Sequence, residues 1–191
     1  GYASVIWVPI YLVRIHEMGT GAVGSYLALL IGVGGALGIY MGGRIADSLA
    51  RIWGPQWLPW VIAIASIFTI PMLYLAFVAE TASAAIWAYA IPAALGTVYV
   101  APGFALIQNE TPLHMRSVAA AINLFVINII GLGLGPFTVG FLSDQFVPAY
   151  GDDSLRYALM CTLVIIVWSI FHYYRAGVLL RRRANESVAA T

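Results

Sequence analysis

Residues 31–51 read IGVGGALGIYMGGRIADSLAR, and the reading of this stretch decides the fold. Gly32, Gly34, Gly35, Gly38, Gly42 and Gly43 crowd an apolar segment without a charge, which then meets Arg44, Asp47 and Arg51 in quick succession. In water each such glycine weakens a helix by up to ~1 kcal/mol relative to alanine. In a bilayer the same glycines are useful, because small side chains let helix backbones approach closely. Gly34, Gly38 and Gly42 recur at every fourth position and so form a ridge on one side of the helix. The stretch reads as a packing surface inside a membrane, closed by a charged turn at the membrane edge.

The composition around it agrees. Of 191 residues 62% are hydrophobic and 9% charged, whereas soluble domains carry about 25% charge. There is no lysine, and all nine basic residues are arginine. A net charge of +1 with no basic cluster on a polar face excludes a nucleic-acid partner as an expectation. The single cysteine, Cys161, sits within an apolar run and reads as a small packing residue. No His or Cys spacing suggests a metal, and no cofactor is expected.

Apolar runs cover about 1–13, 21–43, 57–79, 84–107, 117–142 and 155–177. All but the first are long enough to cross a ~30 Å hydrocarbon core. Backbone groups in lipid must be satisfied internally, and runs without strict alternation exclude a barrel. The expected fold is therefore an all-α membrane protein with six transmembrane helices, a bundle over 1–180 and a tail over 181–191. The first run has only thirteen residues before Arg14, with no basic region ahead of it, so a signal peptide is not indicated. The expectation is a chain that begins inside a membrane helix, as a piece of a longer protein.

Arginines set the orientation. Arg44, Arg51, Arg116, Arg175, Arg181, Arg182 and Arg183 fall on one side of alternating helices; Arg14 and Arg156 fall on the other. The positive-inside rule makes the first side cytoplasmic, with an inner-membrane location and the C-terminus inside. Trp57, Trp60, Tyr173 and Tyr174 stand at run ends, as interfacial aromatics do. The three C-terminal arginines read as an anchor on anionic lipid or as a specific lipid or partner site. A faint repeat also shows. The second run closes Gly43-x-x-x-Asp47 and the fifth closes Gly140-x-x-x-Asp144, each the middle helix of three and leaving on opposite faces. A three-plus-three inverted repeat has that property.

Gly43-x-x-x-Asp47 followed by Arg51 resembles the cytoplasmic loop motif of the major facilitator superfamily, Gly-x-x-x-Asp-Arg/Lys-x-Gly-Arg/Lys, with Ser48 and Ala50 departing from it. Thr111-Pro112 with Arg116-Ser117 resembles a later loop of that family, and Gly131 to Pro136 with Gly140 and Asp144 its glycine–proline fifth helix. Residues 116–136, with Asn123 and Asn128, look like the Spinster-type branch in bacteria. The resemblance implies the C-terminal six-helix half of a twelve-helix secondary transporter that works by alternating access. Its partners would be the N-terminal half of the same transporter, membrane lipids, and a small or lipid-like solute such as a lysolipid or sphingoid phosphate. It also implies that Gly34, Gly38 and Gly42, with Gly131 and Gly135, face the partner half.

Physical reasoning adds candidate roles. Asp47 lies near a helix C-terminus, where the macrodipole disfavours an anion. It needs a cation, and Arg51 one turn on or Arg116 on the same membrane side would supply it. Gly43, Asp47, Arg51 and Arg116 are thus expected to form a cytoplasmic latch that opens during transport, or else a permanent ion pair. No acidic residue falls at membrane depth, so proton coupling is expected to sit in the missing half. His172 reads as interfacial, and His16 and His114 as loop residues. Asn123 and Asn128 are costly to leave unpaired in lipid and, five residues apart, point about 140° from each other. Tyr2, Trp7, Tyr11, Tyr26 and Tyr99 are amphipathic and either line a solute cavity or pack between helices. Pro9, Pro71, Pro92, Pro102 and Pro136 lie inside runs and predict kinks. Two other classes remain for comparison. An intramembrane protease resembling the rhomboid type needs a serine nucleophile near a base, but helix 4 offers only Gly96-Thr97-Val98. A channel or non-transporting assembly subunit would share the composition and lack counterflow.

Overall fold

Six long helical segments account for nearly all of the computed structural model, which describes residues 2–189, with side chains through 186. Helix α1 is Tyr2–His16. Helix α2 is Thr20–Trp53 and contains a π-helical segment, Leu30–Gly34. Helix α3 is Trp57–Val78, and α4 is Ala82–Asn109 with a break after Leu95. Helix α5 covers 116–150 through a second π-helical segment, Ile127–Leu134. Helix α6 is Ser154–Ala189. The all-helical membrane fold is borne out, and no strand occurs among the described residues. Gly54, at φ 102°, makes the tight turn from α2 to α3, a backbone that a side chain strains.

Some boundaries move. Helix α6 does not stop near 177; it continues as one rod into the segment expected to be a tail. Helix α5 likewise runs eight residues past the expected end at 142, to Tyr150.

The inverted repeat appears as packing. Helices α3 and α6, third in each triplet, lie against each other, and α2 packs on α4 as α5 packs on α1. The repeat is also visible in register. Leu30 and Ile127, where the two π segments begin, precede Asp47 and Asp144 by the same number of residues. Gly34, Gly38 and Gly43 recur as Gly131, Gly135 and Gly140 at that same offset. π segments are rare and widen a helix locally, often at functional positions.

In lipid, packing and interhelical hydrogen bonds replace water exclusion as the force between helices. Tyr11, Leu12, Phe77, Val139, Leu155 and Leu159 are fully buried at the centre of the main cluster. Single polar contacts join the interfaces. The Tyr11 hydroxyl meets the carbonyls of Ala76 (3.2 Å) and Phe77 (3.0 Å), joining α1 to the end of α3. Trp7 Nε1 donates to Pro136 O at 2.9 Å, joining α1 to α5. Thr97 Oγ1 lies 2.9 Å from Gly35 O and 2.8 Å from Ala94 O, joining α4 to α2. Trp60 Nε1 donates to Tyr174 O at 3.3 Å, joining α3 to α6. Arg183 pairs with Glu110 at 3.0 Å and ties the far end of α6 to the α4–α5 turn.

Candidate functional site

The break in α4 begins with a proline. Pro102 has no N–H for the Val98 carbonyl, and a proline ring crowds the carbonyl four residues back. The chain responds with tight bonds, Thr97 N to Ala94 O and Val98 N to Leu95 O, both 3.2 Å, before the helix resumes at Val100. The Val98 carbonyl turns toward α2, where a side chain on Gly42 would lie 2.7 Å from it. The broken turn leaves Gly96, Thr97 and Tyr99 at the middle of the bundle.

Around this turn lie two adjoining cavities of about 320 Å³ and 270 Å³, which share Thr69, Gly96, Tyr99 and Ile166 in their walls. The first is walled by Tyr2 and Ser4 of α1, Leu73 of α3, and Tyr89, Pro92 and Thr97 of α4. The second adds Ser66 of α3 and Ser169 and Tyr173 of α6. Among the described residues, none that is charged lines either one.

The polar groups divide by their hydrogen bonds. Ser66 and Thr69 donate to their own helix, to Ile62 O (2.8 Å) and Ala65 O (2.9 Å), so only their lone pairs face outward. Among the described residues, the phenols of Tyr2, Tyr89, Tyr99 and Tyr173 have no hydrogen-bond partner. Tyr89 is 5% exposed as a residue, yet its hydroxyl is not among the buried atoms without a partner, so the oxygen opens into the cavity. The cavity thus presents phenolic donors in apolar walls, a setting for an uncharged or amphipathic molecule carrying oxygen acceptors.

Of the seven expected cavity residues, Tyr2 and Tyr99 reach it. Trp7 is turned to α5, with its ring against Gly140. Tyr11 is 1% exposed and anchors α3; its hydroxyl hydrogen goes to the α3 carbonyls, so His16 Nε2, 3.1 Å away, is the donor to Tyr11. His16 is therefore part of a helix-end clasp rather than a solvated loop residue. Tyr26 is 48% exposed and lines neither cavity. Asn123 is half-buried, and Asn128 is exposed with its amide bonded to Leu124 O at 2.7 Å. Neither asparagine lines the cavities, because the upper part of α5 stands apart from the core: none of residues 116–134 is buried.

The expected latch is not closed. Asp47 is exposed and, among the described residues, makes no ion pair with Arg51 or Arg116. The Arg116 guanidinium is turned instead to Thr111 O at 3.4 Å. Gly43 is occupied by Ala101 of α4, 3.1 Å from where its side chain would begin. The glycine ridge also differs from expectation. Gly38 and Gly42 are buried against the α4 backbone of this same chain, Gly34 lies near Ala94, and Gly131 and Gly135 meet Tyr2 and Ala3 of α1. Their close approach is used inside the bundle, since helices that cross a broken partner need the space there. Reading the sequence passed over Ser4, Ser66, Thr69, Tyr89, Thr97 and Ser169 as cavity residues, and it took Tyr173, which lines the second cavity, for an interfacial aromatic. Apart from Ser4 on α1, the signal available for them was their clustering on helices 3, 4 and 6 beside the Pro92–Gly96–Pro102 interruption.

No family model matches the chain. An MFS-type efflux pump of Mycolicibacterium smegmatis is 36% identical over 160 residues, covering 84% of this chain and 37% of the pump. The chain is a homologue of major facilitator transporters. Protein spinster homolog 1 of Xenopus tropicalis is 28% identical over 189 residues, covering 86% of this chain and 35% of that protein. Two crystal structures of a bacterial homolog of the human lysosomal transporter Spinster share the fold. The inward-facing occupied one superposes with a TM-score of 0.79 at 18% identity, over 94% of this chain and 46% of that chain. The inward-facing unoccupied one gives 0.80 at 19% identity, over 95% and 45%. The chain therefore spans well under half the length of the curated relatives it matches.

Proposed function

We propose that this chain is the C-terminal half of a secondary transporter that moves an amphipathic, lipid-like solute by alternating access, with the hydroxyl-lined cavity holding the solute's polar end. The carrying observation is the set of unpartnered phenols, led by Tyr89 and Tyr99, on both sides of a broken helix. Phenolic donors suit the phosphate, ester or hydroxyl oxygens of a lysolipid, and the apolar walls suit its hydrocarbon. The turn at Gly96 supplies a bend, and transporters of this kind place their sites at discontinuous helices near the midplane.

The remaining assignments follow from the same reading. The missing half supplies the second wall and any proton-coupling carboxylate. The arginine-rich side is cytoplasmic, in an inner membrane, and Asp47 closes a latch in a conformation other than this one. The chain is a carrier and not an enzyme.

Counterflow tests the proposal. Full-length protein in liposomes loaded with unlabelled lysophospholipid accumulates external labelled lysophospholipid, and the Tyr89→Phe/Tyr99→Phe double variant raises KM about fivefold to tenfold per hydrogen bond lost. Absence of counterflow with downhill flux retained overturns the carrier reading in favour of a channel. Counterflow with an unchanged KM removes the phenols from the solute site.

A further inference from the structure

A second pair of cavities lies apart from the hydroxyl-lined one, along the seam between α2 and α3. A groove of about 480 Å³ is walled by Leu37, Met41, Ile45 and Leu49 of α2 and by Ile64 and Phe68 of α3, and every residue lining it is apolar. Leu37 to Leu49 extends about 18 Å along the helix at 1.5 Å per residue, close to the ~15 Å depth of one leaflet's hydrocarbon. The next position on that fourfold row of α2 is Trp53, and one turn back from Val61 on α3 is Trp57. Their rings stand 5.2 Å apart at the end of the groove, and Trp57 and Leu49 pack on the same small core cluster.

Beyond the tryptophans the character changes. A cleft of about 590 Å³ is lined by Trp53, Gln56, Trp57, Trp60, Arg181 and Asn185. Gly177 brings α6 to it, because a side chain there would collide with the Trp60 indole, and Arg181 follows one turn later on the same face. Among the described residues Arg181 has no carboxylate partner, while Arg183 is held by Glu110. The indole N–H groups of Trp53 and Trp57 are likewise without acceptors there. Gln56 is 8% exposed, with one amide hydrogen on Trp53 O at 2.5 Å.

We propose that this seam binds one anionic glycerophospholipid from the leaflet on the side of the C-terminal arginines. An acyl chain lies in the groove, and the phosphate sits between Arg181 and the indole N–H groups. A cation beside donor-only indoles favours a net-negative headgroup and opposes the choline of a zwitterionic one. Free phosphate lacks the hydrocarbon that the groove accommodates. The site is separate from the solute cavity and does not depend on what that cavity carries.

Native mass spectrometry of the full-length protein, released from detergent with added phosphatidylglycerol or phosphatidylcholine, tests this. The expected result is one retained phosphatidylglycerol and at least tenfold less retained phosphatidylcholine. Arg181→Gln lowers the retained phosphatidylglycerol at least tenfold, and Arg182→Gln, on another face of the helix, leaves it within twofold. Ile64→Trp, at an exposed position, blocks the groove and also removes the lipid with Arg181 intact. Equal retention of the two lipids, or retention unchanged in both Arg181→Gln and Ile64→Trp, overturns the proposal.

Discussion

Helices α2 and α5 share three glycines in register, Gly34 with Gly131, Gly38 with Gly135 and Gly43 with Gly140, yet their glycines meet different things. For Gly38 and Gly42 of α2 the nearest partner is backbone, whereas Gly43 meets the Ala101 side chain. A side chain on Gly38 would enter the space of the Ala94 carbonyl, and one on Gly42 would lie 2.7 Å from Val98 O and 2.9 Å from its Cα. For Gly131 and Gly140 of α5 the partner is side chain. A side chain on Gly131 would lie 2.7 Å from the Tyr2 ring, and one on Gly140 3.0 Å from the Trp7 ring. A carbonyl in a packed helix cannot step aside, whereas the Tyr2 ring at the start of α1 can rotate; the Trp7 ring, held by its bond to Pro136 O, is less free. The repeat therefore fixed where glycine stands, and the neighbours decide how much each glycine matters.

Substitutions rank along that difference. Gly38→Ala should be the most damaging, because overpacking against a backbone exceeds the usual 1–3 kcal/mol of a core insertion. It should lower the melting temperature of the full-length protein in detergent more than any other single glycine change, or abolish monodisperse protein. Gly42→Ala comes next, in the range of ~2–3 kcal/mol. Gly131→Ala should cost about 1 kcal/mol or less after Tyr2 turns away, and adding Tyr2→Ala should restore the melting temperature, which Tyr2→Ala cannot do for Gly38→Ala. Gly34→Ala meets Ala94 only at ordinary contact distance, 3.7 Å. Its gain in helix propensity then decides the sign, and the variant should melt at or slightly above the parent. If Gly131→Ala proves as harmful as Gly38→Ala, the distinction between backbone and side-chain partners fails.

A smaller effect concerns a role on α2 outside packing. Asp47→Asn should leave the melting temperature unchanged, because Asp47 is exposed and makes no ion pair among the described residues, and should slow counterflow. A stability loss in that variant would instead show a standing ion pair.

The sequence made the six spans and the paired Gly-x-x-x-Asp ends legible because long apolar runs and punctuating charges are local properties. The π segments were not, since Leu30–Gly34 differs from the α-helix around it by hydrogen-bond pairing and not by residue type. Which neighbour a glycine ridge meets was also hidden. Gly34, Gly38 and Gly42 announce a close approach equally well for a partner half and for α4, and only the bend set by Pro102 decides between them. The same holds for Tyr11. Its amphipathic side chain suited a cavity, and the two carbonyls at the end of α3 were invisible until the chain was folded. Tyr99 was recoverable because it stands three residues from Gly96 and three from Pro102.

Thr97 carries a consequence for motion. Its hydroxyl has one hydrogen and two nearly equidistant acceptors, Gly35 O across the interface at 2.9 Å and Ala94 O within its own helix at 2.8 Å. When the hydrogen points to Gly35 a hydrogen bond crosses the packed interface; when it points to Ala94 that bond is absent, and the hydroxyl donor is satisfied either way. The junction between α2 and α4 is thus a reversible fastener, whose release leaves no orphaned donor in the lipid-embedded bundle.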